Sequence, residues 1–300
     1  MGIGFGLQRV AGIFLLIGLG LVSGKTSAQT YTATLTPAIV EAGSPELIRV
    51  SVPKATKVSG EWLGHRFDFF RGKNGKDWYA LVGVDVETPA APSTLRVVLL
   101  VNGGTIEIKK PVPIEAAHYR TEKITVEPKF VEPGPDQQAA IAAAVEAKKK
   151  AFATSATSSP DDPLWSGSFD APVKAASTDS FGVRRTYNGK LASIHKGTDF
   201  RAATGTPVLA GNSGVVVLAQ PLYFEGNCVM IDHGMGLMSI SMHLSRIDVK
   251  PGQKIAKGEQ VGLSGATGRV TGPHLHWAIR WDGSMLDAAK LLKMNLKGLP

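Results

Sequence analysis

Short apolar-rich runs separated by Gly, Pro, Asn and Asp fill the first part of the chain, at Tyr31 to Leu35, Leu47 to Val52, Lys57 to Leu63, Phe67 to Phe70, Trp78 to Val84, Leu95 to Val101 and Thr105 to Ile108. Runs of this length bounded by turn residues predict strands, and their regular succession predicts an immunoglobulin-like β-sandwich over residues 29–115. Asn102-Gly103 separates the last two runs and carries the signature of a tight hairpin that needs positive φ. Trp62, Phe69, Phe70 and Trp78 are expected to be core aromatics of this domain rather than a carbohydrate-binding platform.

The pattern then changes. Val131-Glu132-Pro133-Gly134-Pro135-Asp136 breaks the strand alternation, and an Ala-, Glu- and Lys-rich stretch predicts a helix from about Gln137 to Phe152. A polar stretch from Thr154 to Pro163 follows, so residues 116–163 are expected to be a linker containing one helix. Lys148-Lys149-Lys150 lies near the end of that predicted helix, where cations complement the macrodipole, and is read as a solvated structural run. A further domain is expected from Leu164 to the end of the chain, closing with a short amphipathic segment from Met285 to Met294.

At the N-terminus, an apolar run from Val10 to Val22 follows Arg9 and leads to small residues ending at Thr26-Ser27-Ala28. This predicts a signal peptide over residues 1–28, cleaved after Ala28. The run is short against the ~20 residues needed to span a bilayer, so no stable membrane anchor is expected after cleavage. Cys228 is the only cysteine of the chain, which excludes an intramolecular disulfide and, from its position in the apolar run Cys228 to Ile231, predicts a buried inert thiol.

Three hundred residues with 43% hydrophobic content suffice for two cores. The formal charge of +8 becomes +6 once Arg9 and Lys25 are removed with the leader. A basic exported protein is drawn to anionic envelope polymers. The basic residues form no stripe and no nucleic-acid motif is present, so no nucleic-acid partner is expected.

Five of the seven histidines fall between His195 and His276, and four of them group as His195 with Asp199, His243, and the triplet His274-Leu275-His276. The triplet is flanked by strand formers Trp277 to Trp281, and alternate residues of a strand share a face, so its two imidazoles would project together. Catalytic zinc commonly takes three His or carboxylate ligands and leaves a position for water. His195, Asp199 and one of the paired histidines meet that count. His195 and Asp199 have helical spacing, but Gly197 and Thr198 between them favour strand or loop. His233, between an apolar run and Gly234, is read as a structural turn residue, and His65 and His118 as surface residues. The glycines of Val261 to Thr271 suit tight turns beside a cleft; the Lys-Ser/Thr ending of a nucleotide-binding loop is missing.

Taken in order, Phe181-Gly182-Val183-Arg184, His195-Lys196-Gly197-Thr198-Asp199-Phe200, Gly205-Thr206-Pro207-Val208, Gly214-Val215-Val216, Val229 to Gly234, His243-Leu244-Ser245, Gly262 to Gly268 and Thr271-Gly272-Pro273-His274-Leu275-His276-Trp277 resemble the lysostaphin-type or LytM-type zinc metallopeptidases of bacterial peptidoglycan. The resemblance implies an antiparallel β peptidase domain of the duplicated hybrid motif over residues 164–300. It implies that His195, Asp199 and His276 ligate one Zn2+ per chain, and that His243 and His274 are the catalytic histidines. Of these, His274 is assigned as the base, while His243 orients the water or stabilises the oxyanion. Family members often carry Tyr where this chain has Ser241, which bears on specificity. The expectation is therefore a mainly β, monomeric metalloendopeptidase acting on peptidoglycan in the periplasm or outside the cell, associated with the wall. The alternative is a non-enzymatic wall-binding module or an activator of other wall hydrolases on the same fold.

Overall fold

The computed structural model describes Met1 and residues 31–158, 162–178, 180–189 and 191–300; the expected leader lies, beyond Met1, outside the described residues. The first strands are β1 (Ala33–Thr36), β2 (Val40–Glu41), β3 (Pro45–Ser51), β4 (Ala55–Trp62), β5 (His65–Asp68), β6 (Phe70–Arg71), β7 (Asp77–Gly83), β8 (Pro92–Val101) and β9 (Gly104–Glu115). They form two sheets, ordered β1-β3-β7-β6 and β2-β9-β8-β4-β5. Along β8, Leu95, Val97, Leu99 and Val101 are buried while Arg96 and Leu100 face out, the two-residue period of a half-buried strand. Trp62, Phe69, Phe70 and Trp78 are all in the core, as the pattern predicts. Asn102 and Gly103 both have positive φ, 52° and 76°, and close the β8–β9 hairpin between Val101 and Gly104.

The stretch expected to be linker is more structured than its composition indicates. It contributes β10 (Thr121–Ile124), a 3-10 turn at Pro128–Phe130 and α1 (Pro135–Ser158). Proline at the first helical position costs no hydrogen bond, and the helix runs one and a half turns past Phe152. The lysine run is therefore mid-helix, and Lys148 is not a solvated cation: its ammonium pairs with Glu225. Ala144 and Ala151 of α1 are buried against Leu218, Leu222, Met230 and Ile240, so the helix packs on the C-terminal sheet.

The C-terminal part comprises β11 (Arg184–Tyr187), β12 (Leu191–Ile194), β13 (Thr198–Phe200), β14 (Pro207–Leu209), β15 (Gly214–Leu222), β16 (Gly226–Asp232), β17 (Leu237–Leu244), β18 (Arg246–Ile247), β19 (Lys254–Ile255), β20 (Gln260–Leu263), β21 (Leu275–Trp281) and β22 (Ser284–Leu286), followed by α2 (Ala288–Lys293). The main sheet runs β13-β21-β17-β16-β15-β19 with β22 beside β21, all antiparallel. Smaller sheets are β14-β20-β18 and β10-β11-β12, the latter joining β10 to β11 in parallel. The protein is mainly β, as expected. No helix among the described residues is long and apolar enough to cross a membrane.

The N-terminal sheets lean on β22 and α2. Leu286 packs over Gly83, Asp287 N donates to the Gly43 carbonyl at 2.7 Å, and Lys290 pairs with Glu41 at 2.6 Å. His65 belongs to this seam and is not the free surface residue its isolation in sequence indicates. It pairs with Asp282 at 2.9 Å and packs on the Trp281 ring, partners that lie more than two hundred residues away. His118 is exposed.

Glu46 is buried in the same region. Ser44 Oγ donates to Oε1 at 2.6 Å, while Oε2 has no hydrogen-bond partner. Burial pushes its carboxyl up to about 8 from an ordinary 4.5, and the Ser44 hydrogen bond and the Lys290 charge offset this only in part. The folded protein thus keeps a proton that the unfolded chain releases, so stability falls as pH rises from 4.5 to 8 and levels off above. Glu46→Gln copies the protonated acid. Its unfolding free energy should match the wild type near pH 4.5 and exceed it at pH 8 by roughly 4 kcal/mol, the linkage of a carboxyl raised from 4.5 to about 8.

Candidate metal centre and cleft

Asp199 on β13 faces His276 on β21 as a direct antiparallel pair. His195 arrives from the end of β12, and Gly197 gives the turn between them room: a Cβ there would collide with the His276 ring. The three side chains converge. His195 Nε2 lies 2.9 Å from His276 Nδ1 and 3.1 Å from Asp199 Oδ1, and His276 Nδ1 lies 3.0 Å from the same oxygen. As expected, His195 and Asp199 sit on loop and strand rather than on a helix.

The surroundings fix the donor atoms. His195 Nδ1 donates to the Ser180 carbonyl at 2.8 Å, which leaves Nε2 as a bare lone pair. Ser180 Oγ accepts from the Asp199 backbone N–H at 3.1 Å, so one residue steadies two of the three side chains. Arg185 Nη2 donates to Asp199 Oδ2 at 3.1 Å, occupying the carboxylate oxygen that faces away from the histidines. Burial raises the Asp199 carboxyl, but its close contacts with the His195 and His276 imidazoles outweigh it and hold the group well below the usual carboxylate range. Burial pushes the His276 imidazole down, with the Asp199 hydrogen bond opposing. The result is an anionic oxygen between two imidazole nitrogens.

A group of two imidazoles and a carboxylate fits a zinc-like ion. The donor atoms of His195, Asp199 and His276 lie 2.9, 3.0 and 3.1 Å from one another, close to the roughly 3.3 Å edges of a tetrahedron of about 2 Å radius. The oriented Nδ1–H of His195 and the arginine-braced carboxylate are the outer hydrogen bonds that such ligands need.

His243 and His274 lie beside this group without joining it. Their ring centres are 5.0 Å apart, and His243 is 5.9 Å from the His276 ring. His274 precedes β21 and bridges to Gly265; its Nε2 is 3.7 Å from Asp199 Oδ1. His243 Nδ1 donates to the Thr267 carbonyl and His274 Nδ1 to the Gly272 carbonyl, both at 2.8 Å. A carbonyl only accepts, so in the neutral rings Nδ1 carries the proton and Nε2 is an acceptor. Burial, with the His276 and His274 charges behind it, pushes His243 down to about 3. His243 also has φ of 63°, a left-handed conformation that costs a non-glycine residue roughly 1–3 kcal/mol. Its N–H to the Glu225 carbonyl, at 2.8 Å, helps hold it there.

These five residues line one cleft of about 460 Å³ together with Glu122, Ile124 and Val126 of the β10 segment and Tyr187, Phe224, Met242 and Arg269. No residue of 31–115 lines it. Ser241 is buried and stands outside the cleft lining. His233 is fully buried, with Nδ1 on the Ser213 carbonyl at 2.7 Å and Nε2 on Ser239 Oγ at 2.8 Å, the structural role its setting predicts. Cys228 is buried too. Sequence reading missed Arg185 and Ser180. Arg185 adjoins the Phe181 to Arg184 motif, but nothing in its residue type marks it as the partner of Asp199.

Residues 193–288 match peptidase family M23, a span that contains His195, Asp199, His243, His274 and His276. The chain carries an M23 peptidase domain. Over a longer stretch, a crystal structure assigned to peptidase M23 from Pseudomonas aeruginosa is similar over 82% of this chain and 92% of its own, with 28% identity and a TM-score of 0.62. Among curated proteins, the peptidoglycan DD-endopeptidase ShyA of Vibrio cholerae is 48% identical over 101 residues, which cover 34% of this chain and 24% of that protein. The DD-carboxypeptidase/endopeptidase Mpg of Neisseria meningitidis is 41% identical over 94 residues, 31% of this chain and 22% of Mpg. The chain thus spans about a quarter of the length of the curated relatives that its M23 domain matches.

Proposed function

We propose that this chain is an exported zinc endopeptidase that hydrolyses peptide bonds in peptidoglycan cross-links or stem peptides. The observation that carries the reading is the convergence of His195, Asp199 and His276 beside two further histidines whose Nε2 atoms are free to accept protons. The M23 match and the names of the relatives, peptidoglycan DD-endopeptidases among them, support the substrate class. They likewise favour action in the periplasm or outside the cell.

In this reading His195 Nε2, His276 Nδ1 and Asp199 Oδ1 hold one zinc ion. When bound, zinc supplies Lewis acidity, polarising the scissile carbonyl and lowering the pKa of water toward neutrality. Arg185 and Ser180 keep the donors oriented. His274, with Nε2 facing the metal group, takes the proton of the attacking water and returns it to the leaving amine. His243 stays uncharged through the neutral range and presents an acceptor, which suits it to orienting that water rather than to donating to an oxyanion.

The N-terminal residues 31–115 form, in this reading, an immunoglobulin-like accessory domain. Their sheet orders match an A-B-E-D sheet facing a G-F-C sheet with added edge strands. It is a positioning domain rather than a cover, because no cleft residue comes from it. The chain works as a monomer that needs no nucleic acid and, once its leader of residues 1–28 is removed, no membrane anchor.

The test is product analysis by mass after incubating the protein with purified peptidoglycan. New amino and carboxyl ends in the peptide fraction are expected. Intact peptides with bound protein would instead identify a wall-binding module.

A further inference from the structure

One cation of the cleft rests on two aromatic rings. The Arg269 guanidinium carbon lies 4.4 Å from the centre of the Tyr187 ring and 4.7 Å from that of Phe224. Both rings are themselves fixed: Phe224 packs edge-on against Tyr223 at 4.9 Å, Tyr223 against Phe130 at 5.5 Å, and Tyr187 is buried with Val126 and Phe130. The Arg269 backbone N–H donates to the Phe224 carbonyl at 2.8 Å, which seats the residue over that ring. Rings stacked on a guanidinium engage its flat faces and leave the in-plane N–H edge available. Among the described residues no carboxylate pairs with Arg269, whereas Arg185, the other cationic residue of the cleft lining, is committed to Asp199. Arg269 is only partly exposed and lines the cleft.

We infer that Arg269 is a carboxylate-binding subsite that selects peptides bearing a free carboxylate near the bond to be cut; this rests on the peptidase reading above. A planar fork already resting on two rings loses little side-chain entropy on forming a bidentate pair, the geometry in which arginine recognises carboxylates best. The placement also ties recognition to chemistry. Arg269 lies two residues beyond Thr267, whose carbonyl orients His243, so a carboxylate on Arg269 is bound by the same loop that sets a reacting histidine. The peptides of bacterial walls carry free carboxylates, and amidation removes their charge while keeping their shape.

The experiment compares cross-linked muropeptide fragments with free carboxylates and the same fragments amidated through carbodiimide chemistry. Binding to the full chain, by fluorescence anisotropy of labelled fragments, and cleavage are measured in parallel for wild type, Arg269→Gln and Arg269→Lys. Wild type should bind the carboxylate form about tenfold or more tightly than the amide, the worth of a charge-assisted hydrogen bond pair. Arg269→Gln should bind both forms alike, and Arg269→Lys should keep a reduced preference, which separates charge from ring packing. Equal binding of the two forms by wild type, or a preference that survives in a folded Arg269→Gln, overturns the subsite. A carboxylate preference without any cleavage would instead remove the peptidase reading and leave the subsite standing.

Discussion

Asp199→Ala should leave the protein unable to retain a metal ion and should lower peptidoglycan hydrolysis by about 10³-fold or more, beyond the 10–100-fold typical of losing an outer hydrogen-bond partner. Asp199 is the single anion of the group. Its Oδ1 lies within 3.1 Å of both His195 Nε2 and His276 Nδ1, and its Oδ2 takes the Arg185 hydrogen bond. Removing it leaves two imidazoles beside a largely buried guanidinium whose other carboxylate partner, Glu122, stands 3.9 Å away, an environment that repels a divalent cation. Metal content after dialysis, read by atomic emission, and hydrolysis of purified peptidoglycan check the result together. Wild-type metal content in a folded Asp199→Ala protein would show that the ion sits elsewhere.

His274→Ala should behave differently. It should keep wild-type metal content and lose turnover by about 10²–10⁴-fold, the range for a general acid–base group. The distinction follows from position: His274 Nε2 stands 3.7 Å from Asp199 Oδ1, outside the 2.9–3.1 Å contacts that join the other three side chains. Its Nδ1 proton is committed to the Gly272 carbonyl, so Nε2 is the atom that accepts. Metal analysis and initial rates on the same preparation separate the two outcomes. Loss of metal in His274→Ala would make it a ligand rather than a proton carrier.

Much of this arrangement is legible in the chain because local rules produce it. The two-residue period of a strand makes neighbours of His274 and His276 around Leu275, and Gly197 with Thr198 keeps His195 and Asp199 off a helix. Asn102-Gly103 supplies the positive φ pair of its hairpin. What local rules do not reach is pairing between distant segments. Nothing in Thr121 to Ile124 announces that it will lie parallel to Arg184–Tyr187 and place Glu122 and Ile124 in the cleft. His65 looks unpartnered in sequence because Asp282 and Trp281 reach it only through the packing of one sheet system on another.

Backbone acceptors are harder still. The carbonyls of Ser180, Thr267 and Gly272 set the tautomers of His195, His243 and His274, and any residue type supplies a carbonyl. Arg185 is hidden for a related reason: it is one of two adjacent arginines on β11, and only the fold determines which of them meets Asp199. Arg269 joins the cleft through ring faces whose residues, Tyr187 and Phe224, stand far from it in the chain.

The most direct measurement strips the full chain with a chelator and returns zinc stepwise, following bound metal and peptidoglycan hydrolysis in wild type and His276→Ala. Wild type should regain activity in proportion to zinc and saturate at one ion per chain, while His276→Ala should neither hold the ion nor recover. Full hydrolysis by metal-free wild type, or recovery in His276→Ala equal to wild type, would contradict it.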